Sequence, residues 1–365
     1  MDRRFFKLGS ILTVLTLSLI LGLLDLGEAA RSKPPPPPPA DPAIAYVVGT
    51  PSTGSWGDMM VMNADGSNQT VVIPGGGTRP VSPSWSPDGR SLVYSHMFNG
   101  ACSGLHVVSK GQNGNWGAPQ PLVNQGQCIG GGSPAWSPDV ASDIHTVAFH
   151  AGVEVADTEA IFLVQFKLVN GVVSDVQEPT ELYRMNGSLE YGPTWSPNGR
   201  KLAFMEQKPN TSPLFHDLLV FDLDNPANPP TSLIPLGSPL SVSGMQFGRV
   251  SWTKEVDHDL LVVSAGLSYF NYDIWCVNVN DATPSQTINL TEPFDQSGAV
   301  DDKDPSWSPD DSKIIFSRGG VAMALTIDTT DGCPNSSDVA IATLSQVAKA
   351  KGKNSLWGFD WRREL

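Results

Sequence analysis

Positive charge is scarce in this chain: lysine and arginine together number 23 of 365 residues against 37 acids, for a formal charge of −14. A surface this acidic repels phosphate backbones, and no basic stripe with interleaved aromatics is present, which sets nucleic acid aside as a partner. Nucleophile signatures are missing as well. There is no Gly-x-Ser-x-Gly elbow and no His-Glu-x-x-His, and the triplets Gly75-Gly76-Gly77 and Gly130-Gly131-Gly132 read as connectors rather than phosphate loops. Long stretches of helix-forming charge patterning are also absent. Glycine (35) and proline (31) stand in their place and imply many turns between short strands.

Cysteine is limited to four residues, Cys102, Cys128, Cys276 and Cys333. An even number permits disulfides in an exported chain. The preferred bridge is Cys102 to Cys128, both within one repeat; Cys276 with Cys333 comes second, and free buried thiols are the alternative.

A long apolar run opens the chain. A basic stretch, Arg3-Arg4-Phe5-Phe6-Lys7, precedes apolar residues from Leu8 to Leu24, and small residues come next at Gly27-Glu28-Ala29-Ala30. This layout predicts a secretory signal over residues 1–29. The competing expectation is an uncleaved signal anchor, since the run approaches the roughly 18 residues that begin to suggest a membrane span. Both export the remainder of the chain, to the periplasm or beyond. Six consecutive prolines, Pro34 to Pro39, then make residues 30–42 a stiff polyproline II spacer.

From residue 43 onward one phrase recurs. It appears as Pro83-Ser84-Trp85-Ser86-Pro87-Asp88-Gly89, Pro134-Ala135-Trp136-Ser137-Pro138-Asp139, Pro193-Thr194-Trp195-Ser196-Pro197-Asn198-Gly199 and Pro305-Ser306-Trp307-Ser308-Pro309-Asp310, with degenerate copies around Trp252 and Trp361. The six tryptophans are spaced at intervals of 51 to 59 residues. Each phrase supplies turn chemistry, with proline setting φ, the acid capping its own backbone and glycine accepting positive φ. Apolar runs such as Leu202-Ala203-Phe204 and Leu218-Leu219-Val220-Phe221 come after it as strands. Four antiparallel strands per repeat define the blade of a propeller. Before Trp85 the chain supplies three strands with no first strand, and with the sixth copy it supplies a lone first strand, so one blade is expected to be sewn from both chain ends.

These repeats resemble the PD40 (WD40-like) repeats of TolB-like β-propellers, whose units carry Pro-x-Trp-Ser-Pro-Asp-Gly followed by strands similar to Leu202-Ala203-Phe204 and Met60-Val61-Met62-Asn63-Ala64-Asp65-Gly66. The resemblance covers residues 43–365 and implies an all-β, six-bladed propeller. Because a propeller holds many loops rigidly at one end, the expected role is a binding or scaffolding module for a protein or peptide partner, monomeric, with membrane contact only through an uncleaved N-terminal anchor.

Because Trp85, Trp136, Trp195, Trp252, Trp307 and Trp361 occupy one fixed place in every repeat, they read as packing between neighbouring blades rather than as a ligand cage. Asp88, Asp139 and Asp310 are demanded by the turn in the same way. Two residues past the aligned second strand lie His96, Glu206 and Arg318, with His150 one position nearer. Together they form the site of an alternative reading, a lyase or hydrolase acting on an extracellular glycan or peptide through a central funnel. The bland alternative is that the histidines satisfy local hydrogen bonds. Finally, Asp301, Asp302 and Asp304 place three carboxylates within four residues. Oxygen-rich clusters suit Ca²⁺; a solvated acidic rim is the other expectation.

Overall fold

The computed structural model describes residues 43–50, 55–76, 79–98, 101–124, 132–139, 143–153, 158–208, 215–234, 237–255, 258–267, 271–281, 286–294, 300–335, 338–339, 342–350 and 354–363. The expected signal segment and proline spacer fall outside the described residues, as do Cys128 and the side chain of Cys102.

The chain enters on β1 (Ile44–Thr50), β2 (Ser55–Met62) and β3 (Thr70–Ile73), a sheet that still lacks its innermost strand. A second sheet runs through β4 (Arg79–Trp85), β5 (Ser91–Phe98), β6 (Ala101–Ser109) and β7 (Gln120–Asn124). The third contains β8 (Gly132–Trp136), β9 (Ile144–Gly152), β10 (Glu159–Val169), β11 (Val172–Ser174) and β12 (Thr180–Tyr183). Next come β13 (Leu189–Trp195), β14 (Lys201–Lys208), β15 (Phe215–Asp222) and β16 (Thr231–Ser232), then β17 (Gln246–Trp252), β18 (Leu260–Gly266), β19 (Asp273–Asn278) and β20 (Thr287–Asn289). The sixth sheet is β21 (Asp302–Trp307), β22 (Lys313–Arg318), β23 (Val321–Thr326) and β24 (Thr343–Lys349). Last, β25 (Ser355–Trp361) pairs antiparallel with β1, setting Ile44 opposite Trp361 and Gly49 opposite Ser355. Six blades in a propeller ring result, closed by strands from the two ends.

The repeated phrase explains why each blade starts as it does. After β4, Gly89 N donates to Ser86 O at 2.9 Å, and Asp88 Oδ1 accepts from Ser86 Oγ at 2.6 Å and from Arg90 N at 3.0 Å. Asn198 and Asp310 bind the serine hydroxyls of their own turns at 2.9 and 2.6 Å. Proline two residues before the tryptophan is tolerated because this strand is innermost, with one edge turned to the axis and no neighbour demanding its N–H. Immediately before that proline the backbone turns left-handed at Ser82 (φ 51°), Ser133 (43°), Gly192 (63°) and Asp304 (56°). The inner-strand register shifts at these places, the signature of a bulge that bends the strand around the axis.

Apolar residues facing out from each sheet meet those of the next. Among the described residues the core divides into six clusters, one per blade junction, and each holds one tryptophan of the series. Trp252, for example, packs with Leu218 of the preceding blade and Val263 of its own. A second seam runs between inner strands. The side chain before one tryptophan accepts from the backbone N–H of the next: Ser84 Oγ from Trp136 N (3.1 Å), Ser251 Oγ from Trp307 N (3.5 Å), Ser306 Oγ from Trp361 N (2.9 Å) and Asp360 Oδ2 from Trp85 N (2.7 Å). Cys276 of β19 and Cys333, beyond β23, form a disulfide with Cα atoms 5.8 Å apart, tying the fifth blade to the sixth. No helix among the described residues is long and apolar enough to cross a membrane.

Candidate functional site

The funnel residues sit on the second strands of four blades: His96 on β5, His150 on β9, Glu206 on β14 and Arg318 on β22. The partners described for each come from its own blade, the adjoining segments or the next blade, as where His150 meets the Tyr191 ring of the fourth blade at 6.4 Å. His96 meets His106 edge-to-face at 5.2 Å, and burial lowers the pKa of both imidazoles. His150 Nε2 lies 3.9 Å from Glu159 Oε2; burial pulls the imidazole down to about 4 and pushes the carboxyl up to about 7. Their contact near neutrality therefore joins an uncharged ring to a carboxyl midway through its titration. Arg318 is committed to Asp302 through a two-pronged pair of 2.8 and 2.6 Å and also donates to the carbonyls of Phe294 and Thr291.

That pairing bears on the acidic loop. Asp302 is fully buried against Arg318, Asp301 Oδ2 lies 2.7 Å from Lys303 Nζ, and Asp304 Oδ2 accepts from Gly358 N at 3.1 Å. Each carboxylate points to a different partner, and a cation at Asp302 would have to displace a guanidinium. Among the described residues no group of three His, Cys, Asp or Glu side chains gathers as a metal-ligand set.

The structure brings together a row that strand-by-strand reading misses. Glu190 on β13 lies opposite Glu206, which lies opposite Asp217 on β15. All three are buried. Burial, then the neighbouring Glu206 charge, pushes the Glu190 carboxyl up to about 8; burial pushes Asp217 up to about 6. Lys208 Nζ stands 3.3 Å from Glu206 Oε2, Ser188 Oγ donates to Glu206 Oε1, and Ser232 Oγ donates to Asp217 at 2.7 Å. Among the described residues Glu190 Oε2 has no hydrogen-bond partner. The signal was available: setting β14 against β15 from the aligned Phe204 and Leu219 brings Glu206 beside Asp217.

On the axis the inner strands of all six blades enclose a cavity of about 270 Å³. Its lining residues include five tryptophans of the repeat, Trp85, Trp136, Trp195, Trp252 and Trp361, and five charged residues, Arg249, Lys254, Asp304, Asp360 and Arg363. Lys254 Nζ lies 3.6 Å from Asp360 Oδ1 with both side chains largely buried.

No family model and no curated protein matches this chain. Solved structures do match in shape. TolB from Acinetobacter baumannii superposes with a TM-score of 0.59 at 16% identity, over 88% of this chain and 67% of that one. A putative TolB from Agrobacterium tumefaciens gives 0.52 at 16% identity, over 88% and 99% of the two chains. A chain of a nidogen/laminin complex gives 0.56 at 10% identity, over 87% and 97%. With six four-stranded blades closed through β25 and this likeness in shape, the chain is a six-bladed β-propeller of the TolB-like fold.

Proposed function

We propose that this chain is an exported scaffold whose propeller holds a protein partner against the face carrying the repeat turns. The observation behind this reading is an exposed aliphatic corner on the third blade. There β10 runs on past its pairing with β12, turns at Asn170-Gly171 and returns as β11. Ile144, Val169, Val172 and Val176 on this corner are 49, 46, 58 and 43% exposed. Apolar groups gathered this way on a rigid support mark an interaction surface. The hairpin is braced, since Gln120 of the second blade donates to Gly171 O at 2.7 Å and accepts from Val173 N at 2.9 Å.

The partner that fits is a protein with apolar contact residues in a basic surround, because a chain of charge −14 attracts positive surfaces over distance. One of the similar propellers was solved within a complex of proteins, nidogen with laminin. Export rests on the basic and apolar layout of residues 1–29, and the Cys276–Cys333 disulfide suits an oxidising compartment.

The test is affinity capture from the native envelope or medium with residues 43–365, followed by mass spectrometry, in parallel with a Val169→Asp/Val172→Asp variant. The expected result is one protein retained by the parent and lost by the variant at unchanged thermal stability. Capture of glycan fragments alone, or of a protein indifferent to the substitutions, would defeat the proposal.

A further inference from the structure

The repeat is its own control for what the fold needs. Two residues after the tryptophan, four copies place proline (Pro87, Pro138, Pro197, Pro309), but the two degenerate copies place Lys254 and Arg363. Three residues before it the copies carry Ser82, Ser133, Gly192, Asp304 and Gly358, and the fifth carries Arg249. Architecture alone asks for no cation at either place. Yet all three departures line the axial cavity, inside a molecule otherwise short of positive charge.

Only one of the three has a neutralising partner. Lys254 is matched by Asp360, whose other oxygen is already taken by Trp85 N. Arg249 Nη2 donates to Pro83 O at 3.3 Å, and Arg363 Nη1 donates to Pro197 O at 3.1 Å and Lys254 O at 3.2 Å. These acceptors are neutral carbonyls; among the described residues neither guanidinium has a carboxylate within ion-pair distance. Asp311 and Asp360 act on Arg363 only from further off. Burial also lowers the pKa of Lys254, so its charge is held at a cost that a bound anion would relieve.

We infer that the axial cavity is a binding site for a small dicarboxylic acid, one carboxylate held by Arg249 and the other by Lys254 and Arg363, with its apolar part against the apolar lining that includes Pro87, Ala135 and Pro138. A guanidinium presents paired donors matched to a carboxylate, and the shielded walls strengthen each such contact relative to water. The size of the cavity, about 270 Å³, admits a molecule of a few carbons. This inference does not depend on the protein-docking role, since the cavity is lined by inner strands and the docking corner lies on the β10–β11 hairpin.

Calorimetric titration of residues 43–365 with succinate, with inorganic phosphate and with the uncharged succinamide distinguishes the outcomes. Saturable succinate binding that weakens with added salt is expected, about tenfold or more weaker in Arg249→Gln and in Arg363→Gln, and absent for succinamide. Preference for phosphate over succinate would replace the organic acid by an inorganic one and overturn the ligand class. Should a variant fail to fold, the parent still decides the matter: with ¹⁵N-labelled arginine, the Arg249 guanidinium resonance must move on titration. No saturable binding, or binding with that resonance unmoved, overturns the site.

Discussion

Glu190 shows how one buried carboxyl makes stability depend on pH. In the folded chain it keeps its proton up to about 8, whereas an unperturbed glutamate releases it near 4.5. Between those values the unfolded chain is the one that has lost the proton, so folding must take it up and stability falls as pH rises. Glu159, pushed up to about 7, and Asp217, up to about 6, act in the same sense. His150 and His216, pulled down to about 4, act in the opposite sense but are spent by their ordinary value of 6.5. Lys254, lowered by burial, also opposes the carboxyls, which makes a comparison of variants the clean measurement. Thermal midpoints followed from pH 6.5 to 8 are expected to fall less, or rise more, in Glu190→Gln than in the parent. Parallel curves would count against the buried row. Sequence reading found the tryptophans because all six copies of the repeat restate them, and the turn acids because three copies do. It found Glu206 without Glu190 and Asp217 because these occur once, on separate strands, and only cross-strand register brings them together.

At the scale of elements, the repeat predicted strands well and exceptions poorly. Asn170-Gly171 is a strong two-residue hairpin signal, with both residues at positive φ, 51° and 78°. A reading aligned on the repeat passes over it because no other blade has the extension. Cys276–Cys333, the second pairing read from the sequence, joins two blades across 57 residues because neighbouring blades pack face to face, whereas the Cys102–Cys128 pairing lies outside the described side chains. Cys276→Ser/Cys333→Ser is expected to lower unfolding free energy by about 2–4 kcal/mol. Denaturant titration should show that reductant produces that loss in the parent and no further loss in the double variant with respect to this bridge. Equal midpoints for parent and variant would show that the bridge contributes nothing.

For the whole molecule, closure is the decisive feature. β25 supplies the inner strand of the blade begun by β1, and its residues also complete the seam of side-chain acceptors, with Ser306 receiving Trp361 N and Asp360 receiving Trp85 N. Deletion of residues 355–365 would leave β1 as an open inner edge and Trp85 N without its acceptor. Exposed edges invite pairing with other chains. Light scattering and thermal melting are expected to show self-association and a broadened, less cooperative transition for the truncated protein. A monomer that melts like the parent would mean that the ring does not need its clasp. This much of the architecture was legible in advance, because a missing first strand at one end and a spare first strand at the other are visible as sequence.

The same clasp imposes an order in time. Because the strand on which the first blade depends is synthesised after every other strand of the ring, a ribosome-bound chain cannot finish the ring however long it waits, until β25 has emerged. Intermediate chains must carry an unfinished first blade up to that moment, a condition well matched to any route on which the polypeptide has to be threaded before it is allowed to set.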